Sequence, residues 1–290
     1  MTSLKNVAAS VKDRLLNRSR NSDLSLLELM KYYAMERFLY RLSISQYNDQ
    51  FVLKGALLFT VWEIADSRTT LDIDASAKAE NSLENITMIA EELCKIAPEI
   101  DDGIVFLSET LRVQVMQLKR EYTGFRLNFT AKIGTAHVPM QIDIGFGDVI
   151  TPGPVFSKYP TMLEFPAPEL SMYPPQTTIA EKFHAMIELD GNNSRVKDFY
   201  DIWLLSHNQT FTNESLRQAI KNTFAERKKE FTADALCTAM RSCAEDPRTV
   251  QRWERFKKKV VPKQNQDLKF TAVVSELESW VLSLYEVAVK

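Results

Sequence analysis

Apolar residues recur at helical spacing at the start of the chain: Leu4, Val7, Val11 and Leu15, then Leu24, Leu27, Met30, Tyr33, Phe38 and Leu42. Positions three and four apart share one helix face. This predicts two helices, over residues 4–20 and 23–43, the second with Asp23 as N-cap. Glu36, Arg37 and Arg41 interrupt that second stripe, and Arg37 is expected on the helix surface. Phe51-Val52-Leu53 is apolar, Lys54-Gly55 breaks it, and Ala56 to Ile64 reads as a buried helix. A polar loop, Ala65-Asp66-Ser67, leads into a strand over Arg68–Ala75. In Leu71-Asp72-Ile73-Asp74 the period-two alternation sends both Asp side chains to one face and Ile73 to the other.

Ser82 caps a helix running to Ile96, and Pro98 with Asp101-Asp102-Gly103 ends it. Four strand candidates follow, Ile104–Leu107, Leu111–Leu118, Tyr122–Ile133 and Val138–Gly145, punctuated by Gly124 and Gly134-Thr135. A helix followed by closely spaced strands indicates a mixed α+β sheet domain. Residues 151–175 are rich in proline and read as an extended connector containing the domain boundary. Beyond it every pattern is helical: Ile179–Leu189 behind Thr177 and Thr178, Arg195–Leu205, Glu214–Arg227, Thr232–Ala244, a segment from Pro247, and Leu268–Val289. The expected domains are 1–165 and 166–290.

Composition narrows the class. With 45% hydrophobic and 26% charged residues, a 290-residue chain is an ordinary globular protein able to build two cores. The net charge of −2 offers no global attraction for nucleic acid, so any such contact needs a local patch. Cys94, Cys237 and Cys243 are odd in number and scattered, which argues for a reducing compartment and against a disulfide framework. Three histidines, none spaced with a cysteine, argue against zinc. The amphipathic N-terminus lacks the apolar core of a signal peptide, and no apolar run approaches a membrane span. A cytoplasmic monomer without membrane association is expected.

The candidate chemistry starts at Asp72 and Asp74. Neighbouring carboxylates repel unless a cation lies between them, and hard oxygen ligands suit Mg²⁺; otherwise they are two acids facing solvent at a strand end. Asp143, between Ile142 and Ile144, needs a partner if buried, or sits on an edge strand. Beside the strand of Asp72 and Asp74 it would complete a three-carboxylate cage. Gly145-Phe146-Gly147 has the wrong spacing for a dinucleotide loop. On Ile179–Leu189, Lys182 points to the edge of the packing face, where the bland reading is a snorkelling lysine, and His184 is structural or incidental. Asp198 and Asp201 are three apart and share a face, which caps the helix, holds Lys197 and Arg195, or points into a cleft. Two basic clusters, Arg227-Lys228-Lys229 and Lys257-Lys258-Lys259 with Trp253 and Phe256 nearby, are either solvated faces or contacts for RNA phosphates.

Lys54-Gly55, Arg68-x-Thr70-x-Asp72-x-Asp74 and Gln141-Ile142-Asp143 stand in an order similar to that of a minimal nucleotidyltransferase core. With Glu36–Leu42, Phe51–Gly55, Gln141–Asp148, Ala180–Phe183 and Asn193–Asp201, the chain resembles the AbiEii/AbiGii nucleotidyltransferases. These are toxins of type IV toxin–antitoxin and abortive-infection systems, within the DNA polymerase β-like superfamily. The resemblance implies a polymerase β-like mixed-sheet lobe with N-terminal helices, followed by an all-helical C-terminal lobe. It places Asp72 and Asp74 as Mg²⁺ ligands and Asp143 as the third acid, which orients or deprotonates the attacking hydroxyl. It assigns Lys182 to the triphosphate and makes Asp198 essential. Lys54, Gly55, Ala56, Arg68, Thr70, Arg195 and Lys197 fall at nucleotide-binding positions. Where the superfamily has Gly-Ser, this chain has Gly55-Ala56, leaving only backbone N–H groups at a helix start to meet phosphate. The implied activity is transfer of NMP from an NTP to an RNA acceptor, foremost the tRNA 3′ end, which would block translation, with a cognate antitoxin encoded nearby. The alternatives are nucleotidylation of a protein hydroxyl, or NTP binding without turnover.

Overall fold

A computed structural model describes residues 6–119, 122–189, 196–208 and 210–286. The chain divides into two compact units. The first comprises residues 1–57, 71–147 and 156–172, and the second 58–70, 148–155 and 173–290. The cut expected at 165/166 falls inside a stretch that stays with the first unit. The reason is a strand pairing: Glu169–Met172, in the proline-rich segment, lies parallel to Phe51–Lys54.

The first unit begins with α1 (Val7–Arg20) and α2 (Leu26–Ser43). Ser25, rather than Asp23, caps α2, because Glu28 reaches back to the Ser25 amide in a capping box. The strands are β1 (Phe51–Lys54), β2 (Ile73–Ala77), β3 (Ile104–Lys119), β4 (Tyr122–Ile133), β5 (Ala136–Phe146), β6 (Val155–Lys158) and β7 (Glu169–Met172). Among the described residues these seven make one mixed sheet in the order β3-β4-β5-β2-β1-β7-β6. The strand expected over Arg68–Ala75 starts later, at Ile73, so Asp72 stands just before it. The two strands expected between Ile104 and Leu118 are one, with a register shift between Leu107 and Arg112. Thr110 spans that irregularity, donating to Leu107 O at 2.6 Å and accepting from Thr130 N at 2.9 Å.

A helix over Leu83–Lys95, capped by Ser82 as expected, packs with α2 on the sheet. Phe38, Phe106 and Phe129 interlock there, with centroids 5.2–6.1 Å apart. The expectation for Arg37 was wrong. Glu36, Arg37 and Arg41 are all buried. Arg41 grips Asp102 through two nitrogens, Arg37 donates to Pro166 O at 2.8 Å, and Glu36 accepts the Met162 amide at 2.6 Å. Those partners lie 61 to 129 residues away, so helical periodicity carries no trace of them. Burial pushes the Glu36 carboxyl up to about 7, against the lowering pull of Arg37 and the Met162 amide.

The second unit is helical. It contains α3 (Leu58–Val61), then, beyond the Leu83–Lys95 helix that is α4, α5 (Pro175–Leu189), α6 (Val196–His207), α7 (Asn213–Glu226), α8 (Ala233–Glu245), α9 (Pro247–Val260) and α10 (Phe270–Glu286). The helix expected over Ala56–Ile64 shrinks to one turn, α3, and the chain leaves it through Glu63 at φ +56°. Segment 58–70 is tied into this unit. The Tyr200 hydroxyl donates to Asp66 O at 2.7 Å, and the Thr69 amide donates to Val260 O at 3.3 Å. Thr177 lies within the first turns of α5 instead of capping it, and its hydroxyl serves both the N–H and the C=O of Thr151 at 2.9 Å. All three cysteines are buried, and none is in a disulfide. Among the described residues no helix is long and apolar enough to cross a membrane.

Candidate active site

In the first unit, the sheet register builds a row of charge. Lys54 on β1 is the partner of Asp74 on β2, Asp74 of Asp143 on β5, and Asp143 of Arg126 on β4. Directly opposed residues project on one face of a sheet. Four successive strands therefore carry Lys54, Asp74, Asp143 and Arg126 side by side, two acids flanked by two cations. The alternate positions, Leu53, Ile73, Ile142, Ile144 and Leu127, are buried. The burial of one face thus fixes which residues form the row.

Gly55 follows the row's first member. Its φ is +78°, a conformation side chains rarely adopt, and a Cβ there would stand 2.8 Å from Asp74 Cβ. Glycine lets Asp74 lie against the turn. Ala56 is buried, and α3 beyond it is too short to give the turn the helix start expected from the sequence.

Arg126 is the residue that sequence reading missed. It grips Asp143 bidentately, Nε to Oδ1 at 2.8 Å and Nη2 to Oδ2 at 2.6 Å. The Asp143 hydrogen bond raises its pKa, burial opposes this, and the charges of Asp143, Asp72 and Asp74 add to the rise. Arg126 therefore lies in the field of all three acids. The only sequence signal was its polar phase within a strand of Phe125, Leu127 and Phe129; the register that sets it beside Asp143 is tertiary. Lys31 on α2 lies near Asp72, which partly offsets the lowering of its pKa by burial. Asp74 and Asp143 are thus brought together in register, with Asp72 two residues before Asp74. Among the described residues, no group of three or more Asp, Glu, His or Cys stands gathered as a metal cage, and Arg126 donates to both oxygens of Asp143. The donor chemistry, carboxylate oxygen without His or thiolate, fits a hard divalent cation such as Mg²⁺.

The second unit carries a separate cluster. Lys182 Nζ donates to Asp198 Oδ1 at 2.6 Å and to Asp201 Oδ2 at 2.9 Å. Arg68 donates to both oxygens of Asp201, at 2.8 and 3.0 Å. Lys182 does not snorkel into solvent: its side chain is only 15% exposed, and its two partners are buried. Burial would lower its pKa, but Asp198 and Asp201 outweigh it and the pKa is raised. Burial likewise works against the charge of Asp201, and Arg68 and Lys182 reverse it, lowering the pKa. Asp198 and Asp201 hold Lys182 and Arg68, a pairing that was not among the expected alternatives. Lys197 is exposed, and Arg195 lies outside the described residues. Thr70 is buried nearby in sequence to Arg68. Asp201 joins the expected residues here because it bridges the two cations.

The basic clusters also separate. Arg227 donates to Asp148 Oδ1 at 2.7 Å. Trp253 is fully buried, so it offers no face for base stacking, and Lys257 turns inward to Gln266 O at 2.9 Å.

The profile of the family described as "Nucleotidyl transferase AbiEii toxin, Type IV TA system" matches residues 37–276. A comparison with curated proteins finds no match. Among solved structures, one described as a "putative nucleotidyltransferase from H. pylori" superposes with a TM-score of 0.50 at 15% identity, covering 91% of this chain and 96% of that one. JHP933 from Helicobacter pylori gives a TM-score of 0.49 at 16% identity, covering 91% and 94%. At such identity the first likeness speaks for the fold.

Proposed function

The chain belongs to the AbiEii nucleotidyltransferase toxin family of type IV toxin–antitoxin systems, and from that premise we propose that it transfers NMP from an NTP to an RNA end, foremost the 3′ end of tRNA, and so blocks translation. The observation that carries this reading is the row in which Asp74 and Asp143 stand in register on adjacent parallel strands, with Asp74 against Gly55. Arg126 offsets part of the repulsion at Asp143, and nucleotidyl transfer is a reaction that adds a divalent cation to such a pair of acids.

In this reading Asp72 and Asp74 hold Mg²⁺, with Asp143 as the third acid. The ion, when bound, supplies positive charge to the phosphates of the NTP. Asp143 orients the attacking RNA hydroxyl and takes up its proton, and Arg126 fixes the carboxylate's direction. Lys182 and Arg68 supply positive charge to the triphosphate and the departing pyrophosphate. Asp198 and Asp201 hold those two cations in place and keep them charged. Lys54, the Gly55-Ala56 backbone, Thr70, Lys197 and Arg195 complete the nucleotide-binding set. An antitoxin partner follows from the family, and its chemistry is left to the operon.

The test is incubation of the full chain with α-labelled NTPs, Mg²⁺ and total tRNA. Ribonuclease-sensitive label is expected, and Asp74→Asn should reduce it at least about 10³-fold, in line with loss of a group acting in the transition state. Label that resists ribonuclease and is released by protease would replace RNA with a protein acceptor. No label on any acceptor would overturn the reading.

A further inference from the structure

One face of α9 has no task in the fold. Arg248, Arg252, Arg255 and Lys259 follow one another at steps of four, three and four residues, and all are exposed. With 3.6 residues per turn they fall within about 60° of one another and span about 16 Å along the axis. The rotation of α9 is set by its opposite side. There Thr249, Trp253 and Lys257 are buried. Trp253 Nε1 donates to Leu268 O at 3.1 Å, and Lys257 Nζ donates to Gln266 O at 2.9 Å. The stripe is therefore held outward by packing. Glu254 is the helix's own acid, and it lies off the stripe in an ion pair with Lys257 at 3.1 Å. Asp246 spends its carboxylate on the N–H groups of Arg248 and Thr249. Among the described residues none of the four cations is in an ion pair. The chain's other basic cluster lacks this character, since Arg227 is committed to Asp148.

We infer that this stripe on α9 binds the sugar–phosphate backbone of the RNA acceptor. A straight row of guanidinium and ammonium groups matches a polyanion with regularly repeated charge, and three arginines favour phosphate through their forked donors. The stripe has no apolar side chain to enter a lipid surface, which sets it apart from a membrane-binding helix. The overall charge of −2 makes the attraction local rather than global. Phosphate contacts of this kind position a nucleic acid without reading its sequence. The inference rests on the proposed RNA acceptor, which it deepens by naming the surface that holds it.

The experiment compares the full chain with a variant carrying Arg248→Gln, Arg252→Gln, Arg255→Gln and Lys259→Gln, both shown by circular dichroism to melt cooperatively. Anisotropy of end-labelled tRNA is measured on each in the Asp74→Asn background, where no transfer occurs, across a salt series. The variant should bind about tenfold more weakly or worse, and the slope of log affinity against log salt should shrink by roughly 3, the share of four phosphate contacts on a single strand. In the active background the KM for tRNA should rise while kcat at saturating tRNA and the KM for NTP hold. Unchanged tRNA affinity and salt slope would overturn the inference while leaving RNA transfer standing. So would unchanged RNA kinetics joined to lost retention on phosphatidylserine vesicles. Conversely, stripe-dependent tRNA binding without label transfer would uphold the stripe and remove the transfer reading. Should the fourfold variant fail to fold, Arg252→Glu alone is measured, with a KM rise expected and no change as the overturning result.

Discussion

At the scale of single residues, chemistry here is decided by what each charge is held against. Asp143 is an ion-paired acid because β4 brings Arg126 alongside it, and Lys182 is a half-buried cation held by Asp198 and Asp201 because α6 brings them there. A sequence shows that Asp143 needs a partner; it does not say which of 36 Lys and Arg provides it. Gly55 is the clearest single-residue test. Gly55→Ala forces a side chain into a left-handed conformation and against Asp74. A stability loss of about 1–3 kcal/mol is expected, read as a lowered urea midpoint. Transfer should fall further than stability explains, since Asp74 must move.

At the scale of elements, α2 shows how much a helix depends on its surroundings. Its stripe of Met30, Tyr33, Phe38 and Leu42 was readable from spacing. Its buried charges were not, because their partners come from residues 102 and 162–166 of the same unit. Glu36 yields a pH prediction. Its folded pKa is raised to about 7 from the ordinary 4.5 of a glutamate carboxyl. Between those values the folded state holds a proton that the unfolded state has released, so stability is full below about pH 4.5 and is lost as pH rises through 7. The loss is up to about 3 kcal/mol. Chemical denaturation from pH 5 to 8 should show this slope in the wild type and its absence in Glu36→Gln, which still accepts the Met162 amide.

At the scale of the whole chain, the second unit is assembled from three separate segments. Its helices rely on Arg68 for Asp201, on Asp148 for Arg227, on Thr151 for Thr177 and on Asp66 for Tyr200. A fragment starting at residue 173 has none of these. Losing Arg68 from buried Asp201 and Asp148 from Arg227 removes charge compensation worth several kcal/mol. The fragment should therefore lack the cooperative thermal transition that the full chain shows by near-ultraviolet circular dichroism. A sharp two-state melt of the fragment alone would refute this.

The sequence by itself determined the element types, because helix and strand periods are written in local alternation. It also determined the family, because the order Lys54-Gly55, Asp72-x-Asp74, Asp143, Lys182, Asp198 survives without coordinates. Tertiary structure decided what periodicity cannot encode. Strand register set Arg126 beside Asp143, long-range pairing drew Glu169–Met172 into the sheet, and helix rotation turned Trp253 inward and the α9 cations outward. A side chain's phase follows from its neighbours in the chain, whereas its partner depends on which distant segment is packed there.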